Sequence, residues 1–468
     1  MASEKTDILQ RLDGLHWTKL HTGVTLALGV GWLLDSFEVN LTGSVLEILK
    51  KQFDVTSQQA AWITGTWLLG IMAGAVVFGY LADQFGRKKL FIMTLALYAI
   101  CTVLSSLSPD YWLFMVFRFL TAMGVGAEYS AISSAIGEFL PVKSRGRAAA
   151  LVMNFWPVGA MLAALANWIC LTLLAQYPSI AWRVAFALGA IGAVFVAWFR
   201  KTVPESPRWL LSRGKIREAA AVVRRFELAA TPAAPERALS ETSLSAAPLQ
   251  RRGFGSQIRE LLRDYPGRLA LGSILDLSEA FGYYGLFTFM ALKVLPAIHV
   301  SDTLVPAFYF IGNVAALVGG LCMVLMFDRL GRKFTVTSFY ALAALCTALL
   351  IPALETQSAW MVLGAFMLAN FAATGAWTSA YPTFSEIFPT HLRATGIGMS
   401  VAVGRVGAMA SGPLLVWLSN QMGANAAFGL VSALWLVGCA AMIPWCLHGM
   451  DGAGLSLEQM VEVAPLTV

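Results

Sequence analysis

Apolar runs of about 20 residues recur along the whole chain, and that is the length a helix needs to cross a hydrocarbon core of about 30 Å. Twelve can be placed, near 22–47, 58–82, 89–107, 110–132, 148–173 and 181–200, and then near 268–291, 304–326, 334–353, 358–384, 394–418 and 424–446. The composition agrees: 57% of the 468 residues are hydrophobic and 13% charged, against about 25% charged in an ordinary soluble domain. The runs predict an all-α membrane protein of twelve transmembrane helices. The first twenty residues are polar and the first run exceeds a signal-peptide core, so helix 1 is expected to be the membrane entry itself.

The net charge of +6 raises the question of an acidic partner, and its distribution answers it. Of the 33 Lys and Arg residues, 27 fall in the N-terminal tail and the even-numbered interhelical segments. Four, Lys50, Lys51, Arg183 and Lys293, fall on the opposite side, and Arg118 and Arg405 lie inside apolar runs. The asymmetry places both termini and the central segment in the cytoplasm. No nucleic-acid partner is expected, and the bilayer is. The six cysteines lack metal-ligand or redox spacing, so no metal is expected.

A polar interval divides the chain into two sets of six helices, 1–200 and 268–468, with 201–267 as a cytoplasmic loop. Within it GKIREAAAVVRRFELA reads as an amphipathic helix, ATPAAPERALSETSLSAAP as a flexible linker, and RRGFGSQIRELLRDYPGR as a surface helix. The halves echo each other. GYLADQFGRKK follows helix 2 and MFDRLGRKF follows helix 8; EFLPVKSRGRA follows helix 4 and EIFPTHLRATG follows helix 10. In the first motif Gly86 permits a tight reversal, and Asp83 and Arg87 stand four apart, a spacing that pairs on a helix.

Together with RFLTAMGVGAEYS in helix 4, PESPRWLLSRGK after helix 6 and GLSLEQM near the C-terminus, these motifs resemble the major facilitator superfamily, in its sugar-porter and organic-ion branch. The resemblance implies two six-helix bundles around a cavity that opens alternately to either side. It also implies a gating charge network, carried by motif match to Asp83, Arg87, Arg145, Glu205, Arg208, Asp328, Arg332, Glu386 and Arg393. The second copy departs from the first at Val324, where a small residue is expected.

An ionisable group at mid-membrane costs about 2.5–3.5 kcal/mol on insertion scales and marks a functional path. Asp35, Glu38, Arg118, Glu128, Asp276, Glu279 and Arg405 are such groups. Asp35 and Glu38, three apart, share a face of helix 1, and two carboxylates that close do not both ionise readily. Related proton symporters pair a helix 1 aspartate with a helix 4 arginine, so the resemblance makes Asp35 the proton site, Arg118 its switchable partner and Glu38 a neighbour without an assigned partner. A static ion pair that fixes helix packing is the competing reading. The five histidines lie at termini or in loops and offer no relay.

For the cavity, helix 7 supplies Glu279, Phe281, Tyr283, Tyr284 and Phe287 near a broken-looking glycine pair. Helix 5 supplies Asn154 and Trp156, and helix 10 supplies Trp377 and Tyr381. The pair of glutamines typical of sugar porters in helix 7 is absent. Arg405 in helix 11 can pair bidentately with a carboxylate and stack on aromatic faces, or else serve a neighbouring acid such as Glu128 or Glu279. One fixed cation within aromatic walls favours a small planar organic anion. With the short first outer loop, these features look most like bacterial nicotinate and aromatic-acid proton symporters. The expected protein is a non-enzymatic, monomeric carrier of a small carboxylate in a bacterial inner membrane, with protons as coupling ion and no other cofactor. A sugar or neutral-metabolite symporter and a transporter-like receptor are the alternatives.

Overall fold

The computed structural model describes residues 8–448, apart from 9–10, 12–13, 86, 141–144, 201–203, 206, 213, 231–253 and 389–391. Among the described residues the secondary structure is entirely helical. That is what lipid requires of a spanning segment whose backbone groups must be paired internally. The long helices of the first half are α1 (Lys19–Gly43), α2 (Ser57–Phe85), α3 (Arg87–Leu107), α4 (Tyr111–Phe139), α5 (Phe155–Leu173) and α6 (Pro178–Arg200). Those of the second are α7 (Pro266–Phe289), α8 (305–330), α9 (332–348), α10 (Ala359–Ile387), α11 (Arg393–Met422) and α12 (Ala424–His448). Among the described residues, eight spans are long and apolar enough to cross a membrane, and the apolar stretches Met93–Leu107, Tyr111–Gly126 and Pro178–Gly192 are shorter. Large apolar side chains are exposed on these helices, Leu173, Trp360 and Leu447 among them, as expected where lipid is the solvent.

Local chemistry sets the ends and breaks. Thr18 and His21 cap α1 reciprocally, Thr18 Oγ1 accepting from the His21 amide at 3.3 Å and His21 Nδ1 from the Thr18 amide at 3.1 Å. Asp110 caps α4 through the Leu113 amide at 3.0 Å. Gly331, with φ 78° and ψ 166°, turns the chain between α8 and α9, a conformation that favours glycine; the corresponding Gly86 lies outside the described residues.

Two helices differ from expectation. The fifth run is a short helix, Arg145–Met153, followed by a break at Asn154 and then α5; Pro157 has no N–H for the Met153 carbonyl, which interrupts the ladder there. Helix α7 is continuous through Gly282 and Gly285, so the expected break is absent from that pair. Its irregularity is a π turn at Met290–Val294, which ends two residues before Pro296, where the N–H ladder lacks a donor.

The halves pack alike. Helix α1 lies along α5 and α7 along α11; α2 lies along α4 and α8 along α10. Gly74 meets the Met123 backbone of α4 and Gly319 meets the Phe371 backbone of α10, the same close approach used in each half. Between halves, α2 packs on α11 and α5 on α8, so the interface has the two-fold character of the repeat. In the central segment, Ile216–Ala230 buries Ile216, Ala219, Val223 and Phe226, and Phe254–Asp264 is also helical. The linker sequence at 231–253 lies outside the described residues.

Candidate functional site

Inside the first half a charge pair lies fully buried. Arg118 of α4 donates to Glu38 Oε2 at 2.9 Å and, through its second terminal nitrogen, to the Glu38 carbonyl at 3.1 Å. The guanidinium sits 3.9 Å from the Trp67 ring centroid and 5.2 Å from that of Phe186, a cation–π setting that replaces water around the charge. Tyr98 and Thr102 of α3 face the carboxylate. A Cβ at Gly189 of α6 would collide with Glu38 Oε1, so the glycine there makes room for the acid.

This corrects the expected pairing, since the geometry gives Arg118 to Glu38 in place of Asp35. Glu38 stands three residues, about 4.5 Å of helix rise, beyond Asp35, and spacing along α1 cannot say at which level α4 crosses it. Asp35 is buried on α1, 1% exposed.

The second half holds a different cluster. Asp276 and Glu279, one turn apart on α7, share Arg405 of α11 as their neighbouring cation. Arg405 donates to the Tyr381 hydroxyl of α10 at 3.2 Å and lies 5.5 Å from the Tyr284 ring centroid. The Tyr340 hydroxyl of α9 reaches Glu279 Oε2 at 3.2 Å and donates to the Leu275 carbonyl at 3.0 Å. Gly404, the residue before Arg405, leaves the space that Asp276 Oδ2 occupies. The Tyr381 hydroxyl also faces the Asp276 carboxylate. Both acids are under 5% exposed.

Aromatic residues join this cluster to the first half. Trp156 of α5 donates its indole N–H to the Tyr283 hydroxyl at 2.9 Å, and its ring meets Trp377 edge-on at a centroid distance of 5.0 Å. Beneath them a cavity of about 10 Å³ is lined by Glu279, Ala280, Tyr283, Tyr284, Ala373, Trp377 and Arg405. That is room for one water at most. The interface is in contact at both ends. At one, Lys51 pairs with Asp302 at 2.7 Å, Gln58 donates to the Pro413 carbonyl at 3.1 Å and Thr288 donates to Thr64 at 3.2 Å. At the other, Arg145–Met153 packs against α8–α9 and α10. A ring-sized ligand therefore needs the halves to part.

Of the expected cavity residues, Glu279, Tyr283, Tyr284, Trp377 and Arg405 come together, with Tyr381 and Trp156 in contact behind them. Phe287 does not line the cavity but backs Tyr283 at a centroid distance of 4.7 Å, and packs 5.1 Å from Tyr309 and 5.5 Å from Phe366. Asn154 fits against Gly320 of α8, and Phe281 is buried without lining the cavity. Asp276 is expected only as one of the mid-membrane ionisable groups and Tyr340 is not among the expected residues; the i, i+3 spacing of Asp276 and Glu279 is the signal that could have placed them together. For the gating motifs, the side chains of Asp83, Arg87, Arg145, Arg208, Asp328, Glu386 and Arg393 lie outside the described residues, as does Glu128. Glu205 is half-buried and Arg332 buried.

The chain is similar to known transporters along nearly its whole length. The model of the sugar (and other) transporter family matches residues 25–463. A niacin transporter of Acinetobacter baylyi is 30% identical over 466 residues, covering 97% of this chain and 99% of the relative. An inner membrane metabolite transport protein of Escherichia coli is 27% identical over 439 residues, 93% of each chain. Among solved structures, a proton:xylose symporter bound to 6-bromo-6-deoxy-D-glucose superposes with a TM-score of 0.76 at 21% identity, covering 94% of this chain and 98% of the other.

Proposed function

The chain belongs to the sugar (and other) transporter family of the major facilitator superfamily and is a multi-pass membrane transporter, and from that premise we propose that it imports nicotinate or a related aromatic monocarboxylate together with a proton. In this reading twelve helices span a bacterial inner membrane with both termini in the cytoplasm, the protein works as a monomer, and the two halves rock about the central cavity. The observation that carries the substrate class is the placement of Arg405 in a cavity walled by Tyr283, Tyr284 and Trp377. A guanidinium meets a carboxylate, and the rings meet a planar heterocycle. The niacin-transporter relative supports the same class.

The charge count of the cavity favours a second reading. Two carboxylates beside one guanidinium suit a small organic cation as well. A thermal-shift screen separates the two: ligand that binds only the folded protein stabilises it by about 2.7 kcal/mol at a hundredfold excess over Kd. Nicotinate and benzoate should raise the melting temperature, nicotinamide, xylose and tetramethylammonium should not, and Arg405→Ala should abolish the carboxylate response selectively. Stabilisation by the cation alone, or an unchanged carboxylate response in Arg405→Ala, would overturn the proposal.

A further inference from the structure

The carboxylate reading leaves a charge imbalance in the cavity, and its resolution identifies a second protonation site. Arg405 already faces Asp276 and Glu279, so a bound substrate carboxylate would put three acidic groups around one guanidinium in a space closed to water. A buried carboxylate without a compensating partner is too costly to keep ionised. We propose that Glu279 is the group that gives way: it takes a proton from the solvent that admits substrate, and the substrate's carboxylate replaces it beside Arg405. The site then gains one anion and one proton, and its net charge is unchanged.

Geometry selects Glu279 over Asp276. Glu279 lines the cavity with Arg405, whereas Asp276 does not and is seated against Gly404, the neighbour of Arg405 on α11, where it offsets part of the guanidinium's charge. Glu279 also keeps a partner when neutral, because the Tyr340 hydroxyl, 3.2 Å away, donates its own proton to the Leu275 carbonyl and can accept one from a protonated carboxyl. Among the described residues, the titratable or charged groups facing the acid are Asp276, Tyr283 and Tyr284 on α7, Tyr340 on α9, Tyr381 on α10 and Arg405 on α11. Helix α12 presents Trp435 to this stretch of α7, which carries no titratable proton. This site lies in the opposite half from Asp35 and the Glu38–Arg118 pair, so the proton that accompanies binding is held apart from the carboxylates of α1.

The inference rests on the carboxylate reading, and one experiment separates their failures. Purified protein in weakly buffered detergent solution is mixed with nicotinate, and binding heat and proton uptake are followed together. The expected result is about one proton taken up per nicotinate bound, with affinity falling by up to about tenfold per pH unit on the alkaline side. Glu279→Gln should bind nicotinate with no proton uptake and a flat pH profile, while Asp35→Asn should keep the proton uptake. Binding without proton uptake by the wild type, or undiminished uptake by Glu279→Gln, overturns the second site and leaves the substrate class standing. Failure of the folded wild type to bind nicotinate or benzoate overturns the substrate class and the site with it. Unchanged melting temperature of the variants establishes that they are folded, and Glu279→Asp serves as a second variant, expected to restore proton uptake.

Discussion

At the scale of residues, Glu38 and Arg118 illustrate how a buried pair makes each partner depend on the other. Removing one member strands a charge, which costs about 3–5 kcal/mol, whereas replacing both with neutral groups of similar volume costs much less. Arg118→Gln should therefore lower the melting temperature in detergent sharply, and Glu38→Gln with Arg118→Gln should recover most of the loss. If the double variant is as unstable as the single, the pair is not coupled in this way. Gly189→Ala predicts the same strain from the other side, since its methyl group would collide with Glu38 Oε1. The sequence revealed that helix 1 and helix 4 both carry charge where lipid forbids it. It could not reveal which acid meets the arginine, because three residues along a helix is a shift smaller than the uncertainty in where two helices cross.

At the scale of elements, the periodic and apolar signals were the legible ones. Gly331, the counterpart in the second motif of Gly86, for which the sequence predicts a tight reversal, turns the chain before Arg332, and the amphipathic segment at Ile216–Ala230 buries its apolar face. The break at Asn154 was less legible because a proline within an apolar run is as compatible with a kink as with a straight helix. Restoring the missing donor with Pro157→Ala should straighten the junction and slow the movement of α5 against α8, read as reduced exchange flux with ligand binding retained.

The amphipathic helix Ile216–Ala230 offers a pH prediction. Arg11 donates to Glu227 at 2.8 and 3.0 Å, and these hydrogen bonds hold the Glu227 carboxyl below its usual range. A depressed carboxylate stabilises the contact above the unfolded value of about 4.3 and ceases to do so as pH falls through the lower folded value. Limited proteolysis should leave the N-terminal tail protected at neutral pH and cut faster once the medium is acidified through that range. Glu227→Gln should show the faster cutting already at neutral pH.

At the scale of the whole molecule, two similar halves meet along α2–α11 and α5–α8 and close over a cavity too small for a ring. In the proposed reading the halves part to load and unload, and the contacts at both ends of the interface are what would be exchanged. The repeated motifs made this architecture legible in the sequence. The composition of the cavity was legible in part, because α7, α10 and α11 carry evident aromatic and charged residues, but their convergence depends on packing across the interface. Trp156→Phe removes the 2.9 Å hydrogen bond that ties α5 to Tyr283 and should weaken substrate binding by about 0.5–1.5 kcal/mol, measured by calorimetry. The most direct test is uptake of radiolabelled nicotinate into proteoliposomes under an imposed inward proton gradient. Accumulation above the external concentration that collapses with a protonophore, and is lost in Arg405→Ala, is the predicted result; equilibration that ignores the gradient, or accumulation that survives the loss of Arg405, would contradict it.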